Sequence, residues 1–310
     1  MMAKRHYLFL IWLLLAATQV FADNNHLHPM NPWQQWTFTG NANDEDGNVY
    51  YYYFAYQQHD DQRKVDVVVL SEQLQPIISY HKVNDKAPKN RPKHNSWKVG
   101  RSFFRYNPIT KNWVFGLKAK EDKGFDFKVD IRPADGDMGE RQRVSDELTF
   151  EMSQFHQLTG HLFFFNGNQE LFVSANRGWL RYIEDKKPPK KLTALICNRR
   201  DGSGLYSLQL DSPKAKKAAI VGMRNSVGER EKVSQFLRIK SLDEKRWQLT
   251  IPSPRTNWTL NLVTRFMNRP FETLVIGDRE ESVPIVCFYQ KHYTTNYQFE
   301  SQITPIIMPT

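Results

Sequence analysis

Two aromatic segments flank an acidic glycine turn near the start of this chain: Trp36-Thr37-Phe38-Thr39-Gly40, then Asp44-Glu45-Asp46-Gly47, then the aromatic run Tyr50 to Phe54 with Tyr56. Asp-Gly supplies the positive backbone dihedrals of a tight turn, so the pattern predicts a β-hairpin and opens a sheet at once. In the second segment, alternation puts Tyr50, Tyr52, Phe54 and Tyr56 on one face and Val49, Tyr51, Tyr53 and Ala55 on the other. A strand apolar on both faces is covered twice. One face lines an interior and the other meets a neighbouring layer.

Residues ahead of this hairpin have a different character. Lys4 and Arg5 give a basic start, Leu8 to Val20 an apolar stretch shorter than the ~20 residues of a spanning helix, and Val20-Phe21-Ala22 a cleavage pattern. We read residues 1–22 as a secretory leader and expect an exported protein, periplasmic or secreted, with no integral membrane segment after cleavage. The only cysteines, Cys197 and Cys287, lie in apolar strand-like stretches. Either a cross-strand disulfide or two buried thiols fits them; export favours the disulfide. Two cysteines without a histidine cluster do not make a structural zinc site, so no metal is expected, and no cofactor signature is present.

Aromatic residues make up 13% of the 310 residues and hydrophobic residues 40%, ample for a packed core. The net charge of +10 is spread over short irregular stretches such as Lys186 to Lys191 and Lys214 to Lys217. These read as solvated loops that leave room for contact with an envelope surface. No nucleic-acid module is recognisable, and no nucleic-acid partner is expected.

Short apolar or alternating runs recur along the chain, among them Val65 to Leu70, Pro76 to Tyr80, Trp113 to Leu117, Phe125 to Ile131, Leu158 to Phe165, Leu192 to Cys197, Gly204 to Leu210 and Val283 to Tyr289. Many short strands at near-regular spacing predict an all-β barrel or sandwich. Val144 to Phe155 fits either a helical stripe or a strand. The segment Glu184-Asp185-Lys186-Lys187-Pro188-Pro189-Lys190-Lys191 reads as a surface linker, because adjacent prolines cannot donate to a ladder and the flanking charges resist burial. It divides the mature chain into domains at 23–183 and 192–310.

Several catalytic classes have no support. There is no Gly-x-Ser-x-Gly elbow, no His-Glu-x-x-His helix and no phosphate-cradling glycine loop. Asp201-Gly202-Ser203-Gly204 reads as a turn, and Asp135-Gly136-Asp137 lacks the further oxygen ligands of a calcium loop. Asn257-Trp258-Thr259 matches a glycosylation acceptor inside a strand-like run.

The opening block, the Asp46-Gly47 turn and the tyrosine strand resemble the start of the hydroxyneurosporene synthase and AttH-like group, where a Glu-Trp-Trp-Tyr-x-Thr-Gly block precedes an Asp-Gly turn and an aromatic strand. Leu158-Thr159-Gly160-His161-Leu162 with Asn166-Gly167 resembles the later Gly-x-Leu strand and its turn, and Gly204 to Asp211 is similar to the strand that begins the second sheet. The resemblance implies two lipocalin-like antiparallel β-barrel domains packed together, with a pocket for an apolar ligand in or between them. Members of the group include carotenoid hydratases.

The chain departs from that group where chemistry is concerned. Gln34-Gln35 precede Trp36 in place of Glu-Trp, and Asn176-Arg177-Gly178 precede Trp179 where the group has a Trp-Met-Asp-x-x-Trp block. Hydrating an alkene needs a strong proton donor and a base for water, usually carboxyl groups in an apolar pocket. Glutamine and glycine supply neither. Substitutes are His161, His156, or a carboxyl near in space such as Glu151 or Asp201. Motif position and chemistry make Trp36, Tyr52, Phe54, His161, Arg177 and Trp179 the candidate ligand-binding residues, with His161 the candidate acid. Two readings follow: a non-catalytic binder of an apolar or amphipathic molecule such as a lipid or isoprenoid, and a metal-free hydratase or isomerase acting on an unsaturated isoprenoid-like substrate.

Overall fold

The computed structural model describes residues 33–84, 96–119, 123–130, 140–144, 148–164, 169–187, 189, 191–210, 219–234, 237–243, 246–252, 258–264, 274–278, 285–295 and 298–305. The leader, the Asn166-Gly167 turn, the Asp135-Gly136-Asp137 segment and Asn257 lie outside these residues. Every regular element among them is a strand.

The first sheet opens with four long strands, β1 (Trp33–Asp44), β2 (Val49–His59), β3 (Gln62–Leu70) and β4 (Pro76–Asn84). It continues with β5 (Ser96–Val99), β6 (Ser102–Asn107), β7 (Asn112–Leu117) and β8 (Gly124–Asp130). Five more complete it: β9 (Glu140–Arg143), β10 (Thr149–Phe155), β11 (Gln157–Phe164), β12 (Gln169–Ala175) and β13 (Gly178–Asp185). The expected hairpin is β1–β2, and Gly47 takes the positive φ, 82°, that its turn requires. Val144 to Phe155, open between helix and strand from its sequence, holds strand β10.

Ten of these strands run in the order β4-β3-β2-β1-β12-β11-β8-β7-β6-β5, and β5 comes back against β3 and β4, so the sheet is a nearly closed antiparallel barrel. Its interior is aromatic. Phe38 stacks on Phe115 with centroids 4.4 Å apart, and Trp97 stacks on Phe104 at 4.5 Å. Each such ring removed from water contributes about 1.5–3 kcal/mol, which makes this cluster the main stabilising mass of the N-terminal half.

Strand β1 serves two neighbours on one edge. Asn43 and Asp44 pair with β12, whereas Trp33 to Gly40 pair with β13, which pairs onward with β10 and then β9. The branch falls where Gly40 faces Gly178. A methyl group on Gly40 would stand 2.7 Å from the Tyr52 hydroxyl, and one on Gly178 would overlap the Phe155 ring. Only glycine lets both rings fill the branch point.

The second sheet contains β14 (Lys191–Arg199), β15 (Gly204–Leu210), β16 (Ala219–Arg224), β17 (Arg230–Ser234) and β18 (Arg238–Ser241). Its remaining strands are β19 (Arg246–Ile251), β20 (Trp258–Thr264), β21 (Leu274–Asp278), β22 (Ile285–Thr295) and β23 (Gln298–Pro305). The order is β17-β16-β15-β14-β22-β21-β20-β19-β18, with β23 on β22. Cys197 and Cys287 are direct partners in the β14–β22 ladder and form a disulfide.

The change of sheet comes later than the charged segment suggests. Glu184 and Asp185 belong to β13, where they pair with Gln34 and Trp33, so the connection spans only 186–190. The two sheets meet across apolar faces. Trp33, Phe150, Trp179 and Ile183 pack with Leu192, Ile196, Tyr206 and Ile220, while Tyr53 stacks on Phe288 at 5.0 Å. The second tyrosine face expected from the alternation of β2 is this contact.

Candidate functional site

Alternation along β1 separates two surfaces. Trp36 and Phe38 enter the N-terminal interior, whereas Trp33, Gln35, Thr37 and Thr39 face the second sheet. Strand β13 repeats the pattern, with Leu180 and Tyr182 inward and Trp179, Arg181 and Ile183 toward the second sheet. Register then builds two rungs on the barrel side, because residues two apart in a strand share a face. One rung is Arg63, Gln58, Gln34 and Glu184; the next is Val65, Tyr56, Trp36, Tyr182 and Glu151.

These rungs bring an acid–base pair to an aromatic wall. The Tyr182 hydroxyl donates to Glu184 Oε2 at 3.1 Å, and both residues are at least 95% buried. The Trp36 ring lies 5.1 Å from that of Tyr182 and 5.8 Å from that of Tyr56. Its indole Nε1 is buried and has no hydrogen-bond partner among the described residues. Arg63 is buried as well, with an unbonded Nε. Burial pushes the Tyr56 hydroxyl to a raised pKa, and the Arg63 charge counters part of that shift. Neighbouring strands are about 4.8 Å apart, so Arg63 and Glu184 stand roughly 14 Å from each other along the sheet.

Chemically the set offers one buried, unpaired donor, the Trp36 indole N–H, with the Arg63 guanidinium two strands away, beside a carboxylate–phenol pair able to exchange a proton with a bound molecule. Glu151 lies across from Tyr182 and accepts from the Ser153 hydroxyl at 3.3 Å. Of the carboxyl groups named from the sequence, Glu151 joins this site; Asp201 caps a turn of the second sheet, where it accepts from the Ser203 backbone and hydroxyl at 2.9 and 2.7 Å.

The six expected ligand-binding residues fall into three places. Trp36, Tyr52 and Phe54 line the N-terminal interior, and the buried Tyr52 hydroxyl has no hydrogen-bond partner among the described residues. Trp179 faces the second sheet with its ring against Tyr206 at 5.3 Å and beneath the Arg224 guanidinium at 4.1 Å. Arg177 donates to the Ser226 carbonyl and lies against Gly202 and Gly228, holding two turns of the second sheet. His161 projects outward from β11, 3.3 Å from Asp126 and 3.7 Å from Glu170, with a side chain 40% exposed. Its neighbours Leu158 and Leu162 enter the interior instead. Residue His156 sits in the β10–β11 turn, where its backbone N–H donates to the Asp130 carbonyl.

Arg63, Tyr182 and Glu184 carry no signal in the sequence. Arg63 reads as the charged start of a strand, and the charges of Arg181, Glu184 and Asp185 disguise β13 as surface. Register is what places them.

Between the sheets lies a second polar network. Arg181 Nη2 donates to Gln290 Oε1 at 2.6 Å, Thr37 Oγ1 at 2.9 Å and Gln35 Oε1 at 3.1 Å. Burial lowers the pKa of this guanidinium, and the adjacent Tyr53 opposes that shift.

No protein-family model matches the sequence, and no curated protein does. Solved structures do share the fold. An AttH-like protein from Nitrosomonas europaea aligns with a TM-score of 0.58 at 13% identity, covering 83% of this chain and 92% of that one. Kievitone hydratase from Nectria haematococca gives 0.56 at 11% identity, covering 89% of each chain. CghA gives 0.54 at 13%, covering 86% of this chain and 89% of that one. The chain therefore has the all-strand, lipocalin-like fold of the AttH-like proteins, at a sequence distance that marks it as divergent.

Proposed function

We propose that this chain is a hydratase or isomerase that acts by proton transfer on an unsaturated apolar substrate held in the N-terminal barrel. The observation that carries this reading is the buried Tyr182–Glu184 hydrogen bond beside the unpartnered Trp36 indole. The pair lies out of bulk water with phenol and carboxyl already in hydrogen-bond contact, so it can pass a proton to a double bond and recover one from water. The existence of a hydratase with the same fold supports the reading.

In this mechanism the aromatic interior binds the substrate's carbon skeleton, while the Trp36 N–H donates to an oxygen of the substrate. The Glu184 carboxyl group, in its protonated form, gives its proton to the double bond; the Tyr182 hydroxyl donates to the carboxylate left behind, and that carboxylate takes the proton of the attacking water, which restores the acid.

The test is incubation of the purified protein with a panel of unsaturated isoprenoids in labelled water, with mass spectrometry of the products. Gain of one labelled water, or exchange of substrate hydrogen with solvent, is expected, and Tyr182→Phe and Glu184→Gln should each lower the rate about 10²-fold or more. Absence of any incorporation across the panel, or full activity in both variants, overturns the proposal. A pure carrier would instead release a bound apolar compound on solvent extraction from both variants and the parent alike.

A further inference from the structure

The mouth of the second sheet has its own cavity, separate from the site of Tyr182 and Glu184. Its volume is about 240 Å3, and it opens where the ends of β14, β15, β16, β19 and β22 converge. The floor is apolar: Leu205, Met223, Ile251 and Ile285 belong to one cluster with the Cys197–Cys287 disulfide. The rim is polar and holds two arginines, Arg199 and Arg224, with one carboxylate, Asp201.

Those three charges are not equivalent. Asp201 is exposed, and its Oδ1 is occupied by the Ser203 N–H and hydroxyl of its own turn. The Arg224 guanidinium stacks on Trp179 and donates to Gln154 Oε1 at 3.3 Å and the Gly178 carbonyl at 3.2 Å. The side chain of Arg199, half-buried at the end of β14, makes no ion pair or hydrogen bond among the described residues. An apolar floor beneath a net positive rim is complementary to an amphipathic anion.

We infer that this mouth is a second binding site, for a small aliphatic carboxylate whose chain enters between Leu205, Met223, Ile251 and Ile285 and whose head is held by Arg199. Drug-sized ligands fill roughly 300–1,000 Å3, so a cavity below that range suits a short chain and not a long one. The Arg177 side chain braces both rim turns through Ser226, Gly202 and Gly228, so the rim is preformed.

Calorimetric titration of the full chain with sodium octanoate and with octanol tests the inference. Saturable octanoate binding is expected, weaker for octanol by about tenfold, the value of one charge-assisted contact. In Arg199→Gln this preference for the carboxylate should vanish. Met223→Trp fills the cavity and should abolish binding of both, and Leu205→Phe, a smaller change, should weaken both if the tryptophan variant fails to fold by its melting curve. The Glu184→Gln variant should bind octanoate as the parent does, which separates this site from the catalytic proposal. No saturable binding of octanoate, or binding unchanged in Arg199→Gln and in the folded cavity-filling variant, overturns it.

Discussion

Glu184 stands directly across from Gln34 in the β1–β13 ladder, and both side chains are buried. Gln34→Glu would put two carboxylates on neighbouring strands about 5 Å apart at Cβ. Such a pair cannot stay fully ionised, and the folded-state pKa of one member rises above its unfolded value of about 4.3. Stability tied to a raised carboxyl pKa is fully present below the unfolded pKa and is lost as pH rises through the folded one. The variant should therefore match the parent near about pH 4 and fall below it by about 1–2 kcal/mol near about pH 7. Urea unfolding at the two pH values measures this, and an equal difference at both would refute it.

The Arg181 guanidinium ties β1 and β13 to Gln290 of β22. Arg181→Met strands those acceptors in a dry interface and should cost about 2–4 kcal/mol. Adding Gln35→Leu and Gln290→Leu removes two of the three stranded acceptors and should recover part of that loss. Denaturant midpoints of the single and triple variants decide it; a neutral single variant would show that the network contributes nothing to stability.

Burial pushes the hydroxyls of Tyr51 and Tyr53 up to about 12, with Glu72 reinforcing the shift at Tyr51 and Arg181 opposing it at Tyr53. In the unfolded chain they ionise near about 10. The neutral folded forms contribute stability that is intact below about pH 10 and lost as pH climbs toward about 12. Thermal melts across that window should fall steeply, and ultraviolet titration of the folded protein should show these phenols ionising late. Normal titration near about 10 in the folded state would contradict the prediction.

Gly178→Ala inserts a methyl group into the Phe155 ring at the branch of β1. Overpacking of this kind costs about 1–3 kcal/mol. Phe155→Leu in the same chain should restore part of the loss, and a double-mutant cycle of melting temperatures checks the coupling. A simple sum of the two single effects would deny the contact.

Much of the architecture was legible residue by residue. The Asp46-Gly47 turn and the flanking aromatics announced β1 and β2, because turn chemistry and alternation are local properties. The double coverage of β2 was legible for the same reason: both of its faces are apolar, and the structure puts the barrel interior on one and Phe288 on the other. By contrast, β13 was invisible. It carries Arg181, Glu184 and Asp185 inward of the surface, and local reading assigns such charges to solvent. His161 shows the converse: its motif was recognised, yet the alternation about Leu158 and Leu162 turns it outward.

The sequence by itself determined a chain of short antiparallel strands with an aromatic core, since period, turn residues and composition act within a few positions of one another. Only the tertiary structure decided which residues share the candidate site. Arg63, Trp36, Tyr182 and Glu184 come from three separate stretches of chain, and what brings them onto one face is hydrogen-bonded register between strands, a long-range pairing that no local pattern encodes.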